Sequence, residues 1–412
     1  MKNKHIAVLV GSLVAMSGQA LAQAPTSASV KPQYQIGGAK PGDDAPKGMS
    51  LGDGITLFPT AKLGFGRDDN LFLANTNKKS SDLISLEAGA LVEARRQNQI
   101  FTLGLDARSA NYNDSSADNY RDYSLRGGAD LQFSARSGLR LGAVYDRGHD
   151  PRGSTDRGVA ERPDVYRDNT VDALYAFGGN EARGRFELAA SSANKRYRNN
   201  RATTAAADRD TDRLRGTFFM RVAPKTSVLF EVQQSNLDYV TSGSTLDSEE
   251  KRYYGGITWE ATAATSGTIK LGRQKKEFEA GSRTSNSSSS WEIGVEWKPM
   301  SYAKVDLFSN KSFGESSGVG DLIINKRTGA TWTHNWNSRI ATEARYVFAQ
   351  DDFVGAGASR KDETDTFGIK LTYKLGRMLE LGADFTRSDR DSNQANFVYK
   401  RNQVMFTVGA KL

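Results

Sequence analysis

The sequence predicts an all-β chain: a transmembrane antiparallel up-and-down β-barrel of about eighteen strands over residues 55–412. Three observations carry that prediction. Apolar and polar residues alternate with period two in segment after segment, and long polar connectors take turns with tight ones between the segments. The composition is also polar on average yet rich in ring-bearing residues and glycine: 38% of the 412 residues are hydrophobic, with 40 Gly, 19 Phe and 15 Tyr. A strand with one face in lipid needs only every second residue to be apolar, so a mean hydropathy of −0.57 suits a barrel better than a soluble core of this size.

The chain opens on Met1-Lys2-Asn3-Lys4, followed by an apolar core from Ile6 to Ser17 and the small-x-small triplet Ala20-Leu21-Ala22. This pattern predicts a signal peptide, residues 1–22, cleaved after Ala22. Its apolar part is too short to span a bilayer as a helix. Residues 23–54 hold four of the nine prolines (Pro25, Pro32, Pro41 and Pro46) and no period, which predicts a flexible periplasmic arm. Cysteine is absent, which excludes disulfides and thiolate metal sites. The formal charge of +8 falls to +6 without Lys2 and Lys4, and its even spread in an exported chain gives no reason to expect nucleic acid as a partner.

Strands are expected near 55–66, 82–95, 99–112, 121–133, 139–148, 168–177, 183–196, 210–222, 226–239, 250–260, 267–279, 289–298, 302–313, 321–333, 339–350, 362–374, 378–389 and 398–412. In "SLRGGADLQF" Leu125, Gly127, Ala129, Leu131 and Phe133 share one face, with Leu131 placed near mid-membrane, while Arg126, Asp130 and Gln132 share the other. "WEIGVEWK" sets Trp291, Ile293, Val295 and Trp297 against Glu292 and Glu296. Connectors after odd-numbered segments are long, such as 149–167, and those after even-numbered segments are tight, such as "ARSG" and "APK". That asymmetry separates extracellular loops from periplasmic turns, and neither a β-sandwich nor a propeller requires it. The last strand, "NQVMFTVGAKL", ends on an apolar residue. Aromatic girdles are expected from Phe133, Phe177, Trp259, Trp297 and Tyr373 at one rim, and from Tyr112, Tyr123, Tyr197, Tyr239 and Tyr253 at the other.

Chemistry is thinly represented, so no catalytic residue, metal site or cofactor is expected. Only His149 and His334 remain after the signal peptide, at opposite ends of their strands, and neither has a nucleophile motif. The acidic clusters at 67–70, 351–352 and 389–391 lack the spacing of a known calcium loop. The inner face is more informative. Parity places Arg126, Asp130, Arg140, Arg185, Glu187, Arg213, Arg215, Glu292, Glu296, Lys370, Glu380 and Asp384 there, facing water or one another. These are the expected substrate-contacting residues of a hydrated lumen, with an arginine excess favouring anionic or hydroxyl-rich solutes. Structural salt bridges filling the lumen are the competing reading.

The stretch "ITLFPTAKLGFGRDDNLF" resembles the start of the family called putative beta-barrel porin 2, through Leu57, Pro59, Gly64, Phe65, Asp68, Asp69, Asn70 and Phe72. The resemblance, shared with outer-membrane barrels of exopolysaccharide loci, implies a role in polysaccharide secretion. Its implied partners are the polysaccharide chain, outer-membrane lipid and lipopolysaccharide, and a separate periplasmic or polysaccharide-export protein. A diffusion porin for small solutes, a rim enzyme and a structural surface barrel are the other readings.

Overall fold

The computed structural model describes residues 48–157, 160–179, 182–260, 264–316 and 320–412. The signal peptide, its cleavage point after Ala22 and the arm from residue 23 to 47 lie outside the described residues. Most of the described residues lie in strands that follow the period-two pattern. A short strand β1 (Met49–Gly52) precedes β2 (Ile55–Asp68), β3 (Ser81–Arg96), β4 (Gln99–Tyr112), β5 (Tyr120–Ser134), β6 (Ser137–Asp150) and β7 (Asp164–Phe177). Next come β8 (Gly184–Tyr197), β9 (Arg209–Ala223), β10 (Thr226–Tyr239), β11 (Ser248–Trp259), β12 (Thr265–Phe278) and β13 (Asn286–Met300). The wall is completed by β14 (Ala303–Glu315), β15 (Leu322–Asn335), β16 (Ile340–Val354), β17 (Lys361–Leu375), β18 (Leu379–Ser392) and β19 (Tyr399–Lys411).

Each of these strands from β2 onward pairs antiparallel with its sequence neighbour, and β19 pairs with β2, so eighteen strands close on themselves. Eighteen strands spaced ~4.8 Å apart and tilted ~40° enclose a cylinder roughly 35 Å across at the backbone. Closure satisfies every ladder and leaves no sheet edge facing lipid.

Alternation sets the two faces. Leu103, Leu105, Leu125, Val171, Phe218, Phe230, Leu271 and Phe406 are exposed on the outside, whereas the residues between them turn inward and are mostly polar. The connections at one rim are two to six residues and those at the other run to thirteen, which defines a turn end and a loop end.

Three expectations need correction. The segment before residue 55 is not all irregular: Met49, Ser50 and Gly52 pair with Leu57, Thr56 and Ile55. This short strand covers the part of β2 that lies beyond the end of β19. Second, Tyr112, Tyr197 and Tyr239 are buried and face inward, so they are not part of the outer girdle, whereas Tyr123 and Tyr253 are exposed on the outside. Their parity was readable, since Tyr112 is even-numbered on a strand whose lipid-facing Leu103 and Leu105 are odd. Third, Leu131 stands one outward position from Phe133 at the turn end, not at mid-membrane. Mid-depth belongs to the Leu103 and Gly127 pair. Leu103→Arg is therefore expected to cost ~2–4 kcal/mol, and the same change at Leu131 distinctly less. Urea titration of the two variants in lipid vesicles checks the order.

Candidate functional site: lumen wall, seam and loop-end mouth

The inner wall is built from side chains of alternate residues, and cross-strand register decides which of them meet. Arg126 on β5 pairs with Asp106 on β4, and Arg140 Nε donates to Asp130 Oδ1 at 2.8 Å. On β8, Arg185 bonds Glu187 at 2.7 Å and lies 4.6 Å from the centre of the Phe219 ring. Lys270 bridges Glu231 at 3.0 Å and Glu292 at 2.5 Å, and the Thr217 hydroxyl donates to Glu231 at 3.0 Å, a chain linking β9, β10, β12 and β13. Arg213 donates to Ser235 Oγ at 3.2 Å, Lys298 pairs with Glu296 at 3.1 Å, and Lys411 pairs with Glu380 at 3.4 Å. Arg345 grips Asp384 with two bonds of 3.2 Å and bonds Thr386 Oγ1 at 2.7 Å. Lys370 stands in register between Glu343 and Asp384.

All twelve residues expected on the inner face are thus on it, with the Arg215 charge acting on Glu187 there. The structure adds groups that sequence reading passed over: the Arg252–Glu250 pair, Gln274, and Lys276 with Glu315. Glu250, Arg252, Gln274 and Lys276 have the same parity as Lys270 or its register partners, so the signal was present.

The family-like stretch occupies the seam where the chain closes. Asp68 is fully buried and receives the Arg401 guanidinium on both oxygens, Nε at 2.9 Å. Asp69 accepts from the Asn402 backbone N–H at 2.6 Å and from Asn402 Nδ2 at 2.7 Å. Asn70 Nδ2 donates to Lys400 O at 3.0 Å and to Ala74 O at 2.7 Å. Residues 68–70 therefore clasp 400–402, fastening the first barrel strand to the last. Gly64 and Gly66 face inward where an added Cβ would overlap Ser85 Oγ and Met405 Sδ, so these glycines let Met405 pack under the seam. Pro59 directs its carbonyl toward Leu412 N, past the last β19 pairing, so its missing N–H deprives no ladder partner.

At the loop end two hairpins leave the wall. The β5·β6 ladder stops at Tyr123 and Arg147, although β6 and β7 remain paired up to Asp150 and Asp164. Likewise β13·β14 stops at Trp291 and Lys311, while β14 and β15 pair up to Glu315 and Leu322. Both hairpin tips lean into the barrel. The Phe313 N–H freed from β13 donates instead to Gln274 Oε1 at 3.1 Å, and Glu315 takes Lys276 and the Tyr239 hydroxyl, the latter at 2.6 Å.

The β6–β7 connection reaches further inward. Arg152 donates to Asp118 Oδ1 at 2.7 Å and stacks 3.8 Å above the Phe72 ring centre. Gly153 O accepts from Arg390 on β18 at 3.3 Å, and Arg157 is anchored by Asp150 at 3.0 Å and Asp164 at 2.8 Å. Burial opposes the Arg157 charge, but Tyr197 and Asp164 outweigh it and hold its pKa above the ordinary arginine value. Ser316 Oγ donates to Asp156 Oδ2 at 3.2 Å, joining the two connections. Seven strand steps separate β7 from β14 one way and nine separate β6 from β15 the other, so the contact lies across the mouth. Six residues beyond Asp150 reach at most ~20 Å of a ~35 Å opening, so neither tip could make the contact unless both leaned in.

The histidines are far from one another. His149 bonds Asp122 at 2.9 Å and stacks on Tyr120, with centroids 4.1 Å apart. His334 lies among Tyr302, Trp332 and Trp336 at the turn end. The carboxylates of 67–70 are engaged at the seam, Asp68 by Arg401 and Asp69 by Asn402, and Asp351 is held by Arg327 at 2.6 Å.

A closed barrel with an apolar outside, a charged inner wall and long connections at one rim is an outer-membrane barrel of the porin type. The chain belongs to the family described as Putative beta-barrel porin 2, whose model matches residues 41–412. No curated protein matches the chain. Among solved structures it is similar to the siderophore receptor PirA from Acinetobacter baumannii, at 7% identity over 86% of this chain and 80% of that one, with a TM-score of 0.45. It is also similar to OpdO of Pseudomonas aeruginosa, at 12% identity over 87% of this chain and 97% of that one, TM-score 0.48. For the FrpB iron transporter of Neisseria meningitidis the identity is 12%, the coverage 82% of this chain and 64% of that one, and the TM-score 0.48. At these values the likeness says nothing of what this barrel carries.

Proposed function

We propose that the protein is an outer-membrane channel through which a secreted exopolysaccharide leaves the cell, guided by a hydrated lumen. The observation that supports this reading best is the inner wall itself. Charged pairs such as Arg140–Asp130 and Arg345–Asp384 alternate with hydroxyls such as Thr217 and Thr386. Such a wall offers a hydroxyl-rich polymer many weak, exchangeable hydrogen bonds, and each guanidinium keeps donors to spare after pairing. In this reading the chain guides the polymer and performs no covalent step on it. The polymer is driven by its synthesis and handed over by a separate periplasmic or polysaccharide-export protein. The precursor reaches the membrane after cleavage following Ala22, which N-terminal sequencing of the mature protein checks.

The export reading predicts that a clean deletion abolishes polysaccharide in the medium while polymer accumulates inside; normal polysaccharide in the medium contradicts it. One observation favours a second reading, diffusion of small anionic solutes: the two hairpin tips that meet through Asp156 and Ser316 narrow the exit. In that case the deletion leaves the polymer unchanged and slows solute uptake.

Either reading needs an open lumen with the assigned facing. Replacing Arg126, Arg185 and Arg215 together by Glu is expected to shift ion selectivity toward cations, measured as reversal potential in a salt gradient. Unchanged selectivity means that the conducting path does not pass these residues.

A further inference from the structure

Four consecutive strands carry an arginine on the outward face near the loop end: Arg121 on β5, Arg147 on β6, Arg167 on β7 and Arg196 on β8. Register sets Arg147 directly opposite Arg167, and Arg167 directly opposite Arg196. The Arg147 guanidinium donates to Arg121 O and lies 5.7 Å from the centre of the lipid-facing Tyr123 ring. Like charges directly opposed across an antiparallel pair destabilise it, and here the repulsion is repeated on two adjoining ladders.

A carboxylate relieves that repulsion at one end of the row only. Arg196 is held by Asp210 at 2.7 and 2.8 Å, but among the described residues Arg121, Arg147 and Arg167 have no ion-pair partner. Several outward cations elsewhere at the same end have a carboxylate: Arg67 has Asp82 at 2.8 Å, Lys275 has Glu277 at 2.7 Å and Lys326 has Asp352 at 3.5 Å, while Lys311, opposite Lys326, donates to Ser289 Oγ at 3.0 Å.

The depth of the row identifies its surroundings. Phe177, exposed at the turn end of β7, is ten residues from Arg167. Ten residues rising ~3.3 Å each along a strand tilted ~40° climb about 25 Å, the height of the apolar band of such barrels. The arginines thus stand at the headgroup level of the outer leaflet. Immediately below them Tyr145, Asn169 and Asn194 lie in register, offering a ring and amides on the same face.

We propose that this row binds the phosphate groups of an outer-leaflet glycolipid, lipopolysaccharide in this membrane. Guanidinium groups hold phosphate through paired N–H bonds, and three of them on neighbouring strands ~4.8 Å apart can engage more than one phosphate of a single headgroup. The bound anion removes the arginine–arginine repulsion, and the asparagines below face the sugar ring.

The test uses the full mature chain purified in a nonionic detergent and titrated with lipopolysaccharide, its dephosphorylated form and inorganic phosphate, with retained lipid counted by native mass spectrometry. The expected result is retention of lipopolysaccharide that the Arg121→Gln/Arg147→Gln/Arg167→Gln variant loses at least about tenfold. The dephosphorylated form is expected to be held no better than by that variant. A Lys251→Gln/Lys275→Gln variant, altered on β11 and β12, is expected to bind as wild type. Heat-modifiable gel migration confirms folding of each variant, and if the triple Gln variant does not fold, Arg147→Gln/Arg167→Gln is used with the same expectation. Equal retention by wild type and folded variant, equal retention of the dephosphorylated lipid, or displacement by inorganic phosphate at the lipid's own concentration would each overturn the proposal.

Discussion

Shortening the β6–β7 connection so that residues 152–162 are replaced by a short Gly-Ser linker is expected to raise single-channel conductance by about twofold or more. The reason is geometric. This connection fills the mouth through Arg152 with Asp118 and Phe72, through Gly153 with Arg390, and through Asp156 with Ser316. Removing it releases three anchors inside the opening and leaves the wall intact, because β6 and β7 are paired independently of it from Ser137 and Phe177 upward. A complementary variant, Asp156→Cys with Ser316→Cys joined by a short thiol-reactive linker, is expected to hold conductance at its lowest level until the linker is cut. The chain has no native cysteine to compete. Conductance that ignores both changes would mean that the tips do not border the path.

The second large effect is expected at the seam. Arg401→Ala leaves the Asp68 carboxylate buried without its cation, a change that costs ~3–5 kcal/mol when one partner of a buried pair is removed. Asp68 has no exposed surface and Arg401 only 5%. The loss falls where it matters most, because the pairing of β2 with β19 closes the barrel. Urea unfolding in lipid vesicles should show the full penalty for Arg401→Ala and for Asp68→Ala, and much less for Asp68→Leu with Arg401→Met, which removes both charges together. A double variant as unstable as the single ones would mean that the pair itself, and not the stranded charge, holds the seam.

How much of this was legible follows from what repeats. Period two is a local signal, so each barrel strand was placed from sequence, from Ile55–Asp68 to Tyr399–Lys411, and the facing of Arg126, Lys370 and their peers came with it. Connections have no period, so nothing in "HDPRGSTDRGVAERPDVYR" announced that Asp156 would meet a residue 160 positions away. The block Arg67-Asp68-Asp69-Asn70 was recognisable as a family mark and as a strand end. Its physical work was not, because the partners Lys400, Arg401 and Asn402 come from the far end of the chain. The tyrosines failed for a different reason. Tyr112, Tyr197 and Tyr239 were assigned to the girdle by position along the strand, and counting parity from the neighbouring leucines would have turned them inward.

The central claim is an open, charge-lined path through the barrel. Its most direct test is the conductance of the purified mature protein in a planar bilayer under a salt gradient. The account predicts discrete conductance steps with anion preference, enlarged when the β6–β7 connection is shortened. Silence from both the wild type and the folded, loop-shortened protein would contradict it.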